Sequence, residues 1–331
     1  MTAPLAVSMG DPAGVGPEII AKAWDRRVAE SLSPFVAIGD RRAIAAVWDG
    51  PIAPVVDMAA AVAAFDTALP VFDISDSGTI TPGVPDVEGA RCALHSLELA
   101  VGLVRSGAAR GLVTAPVSKA QLYAIGFTHP GQTEFIAERC GVSPDNAVMM
   151  LAGPSLRVVP VTTHVPLADV SRLLTIDLIL AKARATVRGL QRNFGIESPR
   201  LAFAGFNPHA GEQGAIGREE IEVMEPAIAI LRAEGLDVTG PLAADTMFHP
   251  RARARYDAAI CAYHDQALVP LKTLHFDEGV NITLGLPIVR TSPDHGTAFA
   301  IAGQGVAEPG AMIAAIRMAA EATDRRATAA A

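Results

Sequence analysis

Leu5-Ala6-Val7-Ser8-Met9-Gly10-Asp11-Pro12-Ala13-Gly14-Val15-Gly16-Pro17-Glu18 is the stretch on which the fold class turns. An apolar strand runs into a glycine-rich turn, and the turn runs into a helix start. Pro17 suits the first helical turn, where a missing N–H costs nothing, and Glu18 meets the positive end of the helix dipole. Gly10, Gly14 and Gly16 let the backbone approach a neighbour or a ligand closely. Strand, turn and helix N-terminus in this order make a place for an anion or another ligand. The spacing is neither the GxGxxG dinucleotide fingerprint nor a Walker A loop, since no Gly-Lys-Ser/Thr follows. From these residues alone, a tight turn and a binding loop are equally open.

The same alternation of apolar run and helical pattern continues along the chain, which is the mark of βαβ units and a mostly parallel sheet. It predicts strands at 5–9, 35–38, 111–114, 147–151, 156–162, 200–204 and 258–262. Helices are expected at 88–106, from Thr133 as N-cap to a stop at Gly141, over 167–193 with a break near Thr175, at 219–234 and at 309–323. Alanine propensity adds a helix at 59–64. No repeat and no Ser/Gly-rich linker appears in the 331 residues, a length that suggests two domains whose connecting chain crosses more than once, with a cleft between them.

Composition removes several classes of function. Half the residues are hydrophobic and 19% are charged, which is not the composition of a disordered chain. Apolar runs such as 58–65 fall far short of the roughly 18–20 residues that a spanning helix needs. The net charge is −8, and the basic clusters at 251–255 and 325–326 are short, so neither nucleic acid nor a membrane is expected as a partner. The three cysteines are too scattered for a disulfide framework or a zinc knuckle, and Cys92 and Cys261 read as small core residues. The N-terminus shows no signal peptide, and the expected compartment is the cytoplasm.

Histidine placement points to chemistry. His164, His209 and His264 each lie just past the carboxyl end of a predicted strand, the edge where parallel α/β sheets bind ligands. Three neutral imidazoles with an open coordination position suit catalytic zinc or a similar divalent ion. His95, His249 and His275 have no such placement. Asp265 follows His264 directly, and a carboxylate beside a ligating imidazole commonly fixes its tautomer. Asp245 reads equally well as a second such carboxylate or as a turn residue. Lys272, Asn281 and Arg290 are isolated polar residues in apolar sequence, where a phosphate or carboxylate would supply partners.

The segments 9–18, Pro130-Gly131-Gln132-Thr133-Glu134-Phe135, Thr162-Thr163-His164-Val165-Pro166-Leu167 and Asn207-Pro208-His209-Ala210-Gly211-Glu212 together resemble the 4-hydroxythreonine-4-phosphate dehydrogenase family. So do Ala244-Asp245-Thr246, Tyr263-His264-Asp265-Gln266 and the run 279–287, in consistent order over nearly the whole chain. The resemblance implies an isocitrate/isopropylmalate dehydrogenase-like α/β fold with two α/β domains. Residues 1–125 plus 291–331 would form the cofactor side, and 126–290 would carry metal, substrate and dimer contacts. It further implies a homodimer whose active site is shared between subunits, with His164, His209 and His264 holding zinc, magnesium or cobalt and His264 donated by the partner.

Gln132, Thr133, Lys272, Asn281 and Arg290 fall on the family's substrate positions, while Asp245 and Asp265 match supporting carboxylates. His295, Gly296, Thr297 and Ala298 resemble the adenosine loop of isopropylmalate dehydrogenases, which do without GxGxxG. The implied reaction is NAD- or NADP-dependent oxidation of 4-phosphooxy-L-threonine followed by decarboxylation to 3-amino-2-oxopropyl phosphate, on the route to pyridoxal phosphate. The metal would act there as a Lewis acid, and Lys272 would bind substrate or shuttle a proton. One residue departs from the pattern: the family commonly has histidine where this chain has Gln132. Related substrates therefore stay open, namely D-threonate or D-erythronate 4-phosphate and an aromatic cis-dihydrodiol carboxylate. A metal-dependent hydrolase or aldolase without nicotinamide is the reading from another class.

Overall fold

The computed structural model describes residues 2–74, 78–143 and 146–330. The chain folds as two compact α/β units. One holds the chain up to Val142 together with Leu286–Asp324, and the other holds Ser143–Gly285 with the segment from Arg325 onward.

In the first unit, β1 (Leu5–Ser8), β2 (Phe35–Gly39), β3 (Ile52–Val55), β4 (Leu69–Asp73), β5 (Leu112–Thr114) and β12 (Arg290–Pro293) lie in the order β3-β4-β2-β1-β5-β12. Every pairing among them is parallel. Strands buried on both faces read as unbroken apolar runs, and β1 and β2 are buried at every position. Helix α1 (Gly16–Asp25) starts with Pro17 in its first turn and buries Glu18 there. Helix α4 (Val87–Arg105) is capped by the Asp86 side chain on the Gly89 N–H, and from its middle Ser96 accepts from Met9 N and donates to Ile38 O.

In the second unit, β6 (Val148–Gly153), β7 (Leu156–Pro160), β8 (Arg200–Ala204), β9 (Asp237–Leu242), β10 (Ala258–Cys261) and β11 (Val280–Leu284) are ordered β11-β6-β7-β10-β8-β9. The hairpin β6–β7 and the pair β11–β6 are antiparallel, whereas β7, β10, β8 and β9 are parallel. Helix α8 (Ile176–Phe194) is capped by Thr175 at one end and ends on left-handed Gly195 at the other, so the expected break near Thr175 is a true helix start.

Two details differ from the sequence reading. The units divide at 142/143 and 285/286 rather than at 125/126 and 290/291. Helix α6 (Gln132–Arg139) explains the first shift, since Phe135 packs on Phe127 and Gln132 donates to Ala115 O; pairing of β12 with β5 explains the second. Thr133 is not the cap of α6. Gly131 occupies that position, and the Thr133 hydroxyl instead receives Arg290. Cys92 and Cys261 are buried, as core residues should be.

Candidate active site

Parallel pairing of β7, β10 and β8 places three carboxyl ends along one edge, and His164, His209 and His264 follow those ends. Beyond the last paired residues, Val161 N donates to Cys261 O (2.7 Å) and Thr162 N to Ala262 O (3.2 Å), which carries the register on toward the histidines. The rings of His164 and His264 stand 5.6 Å apart, tilted by 43°. His264 opens helix α11 (His264–Leu274), and its Nδ1 lies 2.7 Å from Asp265 Oδ1. A carboxylate only accepts, so Nδ1 is the donor in this bond and Nε2 is the ring nitrogen left to face a ligand. Gln266 ties the neighbouring strand ends together: its Oε1 accepts from Ala262 N and its Nε2 donates to Gly205 O, both at 2.7 Å. The pair borders a cavity of about 260 Å³ lined by His164, Val165, Leu167, Tyr263, His264 and Asp265.

His209 is placed differently. Its loop, Pro208–Gly214, runs left-handed from His209 to Gln213, with φ between 43° and 77°. Left-handed backbone costs a non-glycine residue roughly 1–2 kcal/mol, so this loop needs outside support. His164 shares the feature at φ 52°. Among the described residues, no three His, Cys, Asp or Glu side chains gather within this chain to hold an ion. The structure therefore brings two of the expected imidazoles together and leaves the third on the adjacent strand end. The donors fit a divalent cation in kind: two imidazoles, one bonded to a carboxylate, on the edge that also carries the third.

The remaining candidates of this unit are spread over three elements. Lys272 is half-buried on α11. Asn281 sits in β11 opposite Leu151, and its Oδ1 is buried with no hydrogen-bond partner, an acceptor that a ligand's N–H or O–H would satisfy. Asp245 lies exposed in the turn Ala244–Thr246, and no hydrogen bond joins it to the histidines among the described residues. A larger cavity of about 540 Å³ lined by His249, Arg251, Arg255 and Tyr256 holds none of the predicted site residues.

The first unit holds a buried cation of its own. Arg290 is 3% exposed, and it donates to Thr114 Oγ1 (2.8 Å) and Thr133 Oγ1 (3.4 Å). Burial lowers its pKa to about 10 against the opposing pull of Glu134, so it remains a cation at neutral pH. Gln132 anchors its Nε2 on Ala115 O (3.2 Å), and its Oε1 is buried without a partner. In the loop 295–298, His295 and Gly296 are exposed and Ala298 is left-handed. Thr297 O accepts from Val15 N (2.9 Å), and a Cβ on Gly14 would come within 3.0 Å of that oxygen. The glycine-rich turn is buried and packs its backbone against this loop, which leaves His295 and Gly296 exposed.

Thr114 and the support of the His209 loop escaped the sequence reading. Thr114 ends a predicted strand and carries no signal in the chain, and Glu219-Glu220, whose carboxylates receive Asn207 two positions before His209, looks like any acidic helix start.

In one unit, imidazoles follow the carboxyl ends of parallel strands, the edge where α/β enzymes bind small polar metabolites; in the other, two threonine hydroxyls cage a buried guanidinium. The family described as "Pyridoxal phosphate biosynthetic protein PdxA" matches residues 30–319. The chain is 59% identical to a 4-hydroxythreonine-4-phosphate dehydrogenase of Zymomonas mobilis over 98% of its length and 96% of the relative's. It is 56% identical to one of Erythrobacter litoralis, covering 98% of both chains. Among solved structures, the 4-hydroxythreonine-4-phosphate dehydrogenase of Klebsiella pneumoniae aligns with TM-score 0.85 and 36% identity over 97% of this chain and 99% of that one. The chain belongs to the PdxA family.

Proposed function

We propose that this chain oxidises the C3 hydroxyl of 4-phosphooxy-L-threonine with NAD or NADP and yields 3-amino-2-oxopropyl phosphate after loss of CO₂, in pyridoxal phosphate biosynthesis. Family membership and the names of the relatives support the reaction. The observation that carries the chemistry is the placement of His164, His209 and His264 past the carboxyl ends of neighbouring parallel strands, with Asp265 on His264 Nδ1. His164, His209 and His264 would hold the divalent cation, and one imidazole would come from a second copy of the chain, His264 in the family pattern. When bound, the nicotinamide would supply a hydride acceptor and the cation, held by these histidines, a Lewis acid for the substrate oxygen.

The chain's own residues do the rest. Arg290, preset by Thr114 and Thr133, holds an anionic group of the substrate without needing to reorganise. Asn281 Oδ1 accepts from a substrate N–H or O–H. Asp265 holds the His264 tautomer, and Lys272 binds substrate or moves a proton at the reacting hydroxyl. The loop 295–298, packed on the glycine-rich turn, would hold the nucleotide. We place the enzyme in the cytoplasm as a homodimer; no helix among the described residues is long and apolar enough to cross a membrane.

The test is to follow nicotinamide reduction with 4-phosphooxy-L-threonine, D-threonate 4-phosphate and D-erythronate 4-phosphate in turn. Turnover of the first well above the other two is expected. Preference for a sugar-acid phosphate would reassign the substrate, and no reduction with any, together with no NAD⁺-induced rise in Tm, would favour a hydrolase or aldolase.

A further inference from the structure

The left-handed run that carries His209 is held at its root by residues outside the metal and substrate sets. Asn207, two positions earlier, donates its backbone N–H to Glu220 Oε1 (2.7 Å). Its side-chain Nδ2 donates to Glu220 Oε2 (2.9 Å) and Glu219 Oε2 (2.8 Å), and its carbonyl accepts from Ala210 N (3.1 Å). Glu220 is 1% exposed and opens a π-helical turn, Glu220–Met224. Such turns are rare and concentrate at functional sites. Ser171 Oγ donates to Glu219 at 2.7 Å, and together with the Asn207 amide it holds that carboxyl below the usual range.

Two glycines make room for the arrangement. A Cβ on Gly217 would stand 2.2 Å from Asn207 Nδ2, and one on Gly211 would stand 2.6 Å from Glu220 Oε2. A buried carboxylate is costly unless its oxygens are bonded, and both oxygens of Glu220 are bonded to a single asparagine at the foot of a strained loop.

We infer that Asn207 and Glu220 are positioning residues that fix the backbone of His209 in its ligating conformation. The inference rests on the reading of His209 as a ligand of the divalent cation. The pair lies outside the residues proposed for substrate and nucleotide; it acts by removing the loop's freedom before the cation arrives, so that ordering the loop does not weaken binding.

The test titrates Mn²⁺ into the metal-free, full-length protein by calorimetry, with Tm of the metal-free protein measured alongside. Wild type binds, and His209→Ala abolishes binding. Glu220→Gln keeps one acceptor for the Asn207 N–H but sets an amide against the Asn207 Nδ2. Gly217→Ala keeps Glu220 and displaces the Asn207 side chain. Both variants are expected to weaken Mn²⁺ binding by about 10–100-fold, with Tm lowered by only a few degrees. Wild-type affinity in both variants would overturn the inference while leaving the metal reading intact. Failure of both to fold would assign the pair to stability and overturn it as well. No binding by wild type, or undiminished binding by His209→Ala, would remove the metal reading itself.

Discussion

Asp11 is 1% exposed in the turn between β1 and α1, and burial pushes its carboxyl from the ordinary 3.8 up to about 6, with Asp86 adding to the rise and the Ala13 N–H opposing it. The folded value lies above the unfolded one. Its stabilising contribution is therefore complete below pH 3.8 and is lost as pH rises through 6, so that the ionised group costs at most about 3 kcal/mol at pH 8. Asp11→Asn keeps an oxygen for Ala13 N and carries no charge. Its Tm is expected to exceed that of wild type at pH 8 and to converge with it near pH 4 in scanning calorimetry; parallel curves would refute the assignment.

Arg290 tests the substrate side at the same scale. Lysine cannot span Thr114 and Thr133 as a planar fork does, so Arg290→Lys should raise KM for the phosphorylated substrate by roughly 10–100-fold while kcat falls less. An unchanged KM removes Arg290 from the pocket. The isolation of Arg290 and Asn281 in apolar sequence marked them as polar groups in need of partners, and both carry buried polar atoms. The hydroxyls of Thr114 and Thr133 that meet Arg290 come from two other elements, so no local pattern could announce them.

At the scale of elements, the sequence reading found most of the apolar strands, including those that lead to the histidines, but missed the short apolar β4 and the polar β11 and β12. The runs 5–9, 35–38 and 258–262 became β1, β2 and β10, because strands covered on both faces need unbroken apolar sequence. β12 is buried at all four positions yet reads Arg290-Thr291-Ser292-Pro293, and β11 includes Asn281 and Thr283; their polar side chains hid them from any hydropathy pattern. β3 and β9 are only partly buried and gave little contrast with their surroundings.

The glycine-rich turn gives a prediction at this scale. A Cβ on Gly16 would meet Met9 O at 2.3 Å, a contact with backbone that cannot swing aside. Gly141 has φ +68° and open space around it. Gly16→Ala should cost about 3 kcal/mol or more, as a strained and overpacked site does, and Gly141→Ala about 1 kcal/mol. Urea midpoints compare the two directly. Equal losses would mean that the close approach at Met9 O is relieved at no cost.

For the whole molecule, the shared position of three histidines past strand ends was legible because parallel strands bring like ends to one edge, a rule that needs no tertiary detail. Which rings meet was not legible. The order β7-β10-β8 places His264 beside His164, and the left-handed loop sets His209 apart, and both outcomes depend on pairings remote in sequence. The proposed site takes one imidazole from a second copy, and this can be tested without a structure of the dimer. His209→Ala and His264→Ala homodimers should each be inactive. After subunit exchange, half the dimers are mixed, and each mixed dimer has one site whose ligands are all intact. Activity should therefore return to about one quarter of wild type, as a twofold assembly with shared sites requires. If each chain used only its own histidines, every site in the mixture would lack one, and activity would stay at the level of the separate variants.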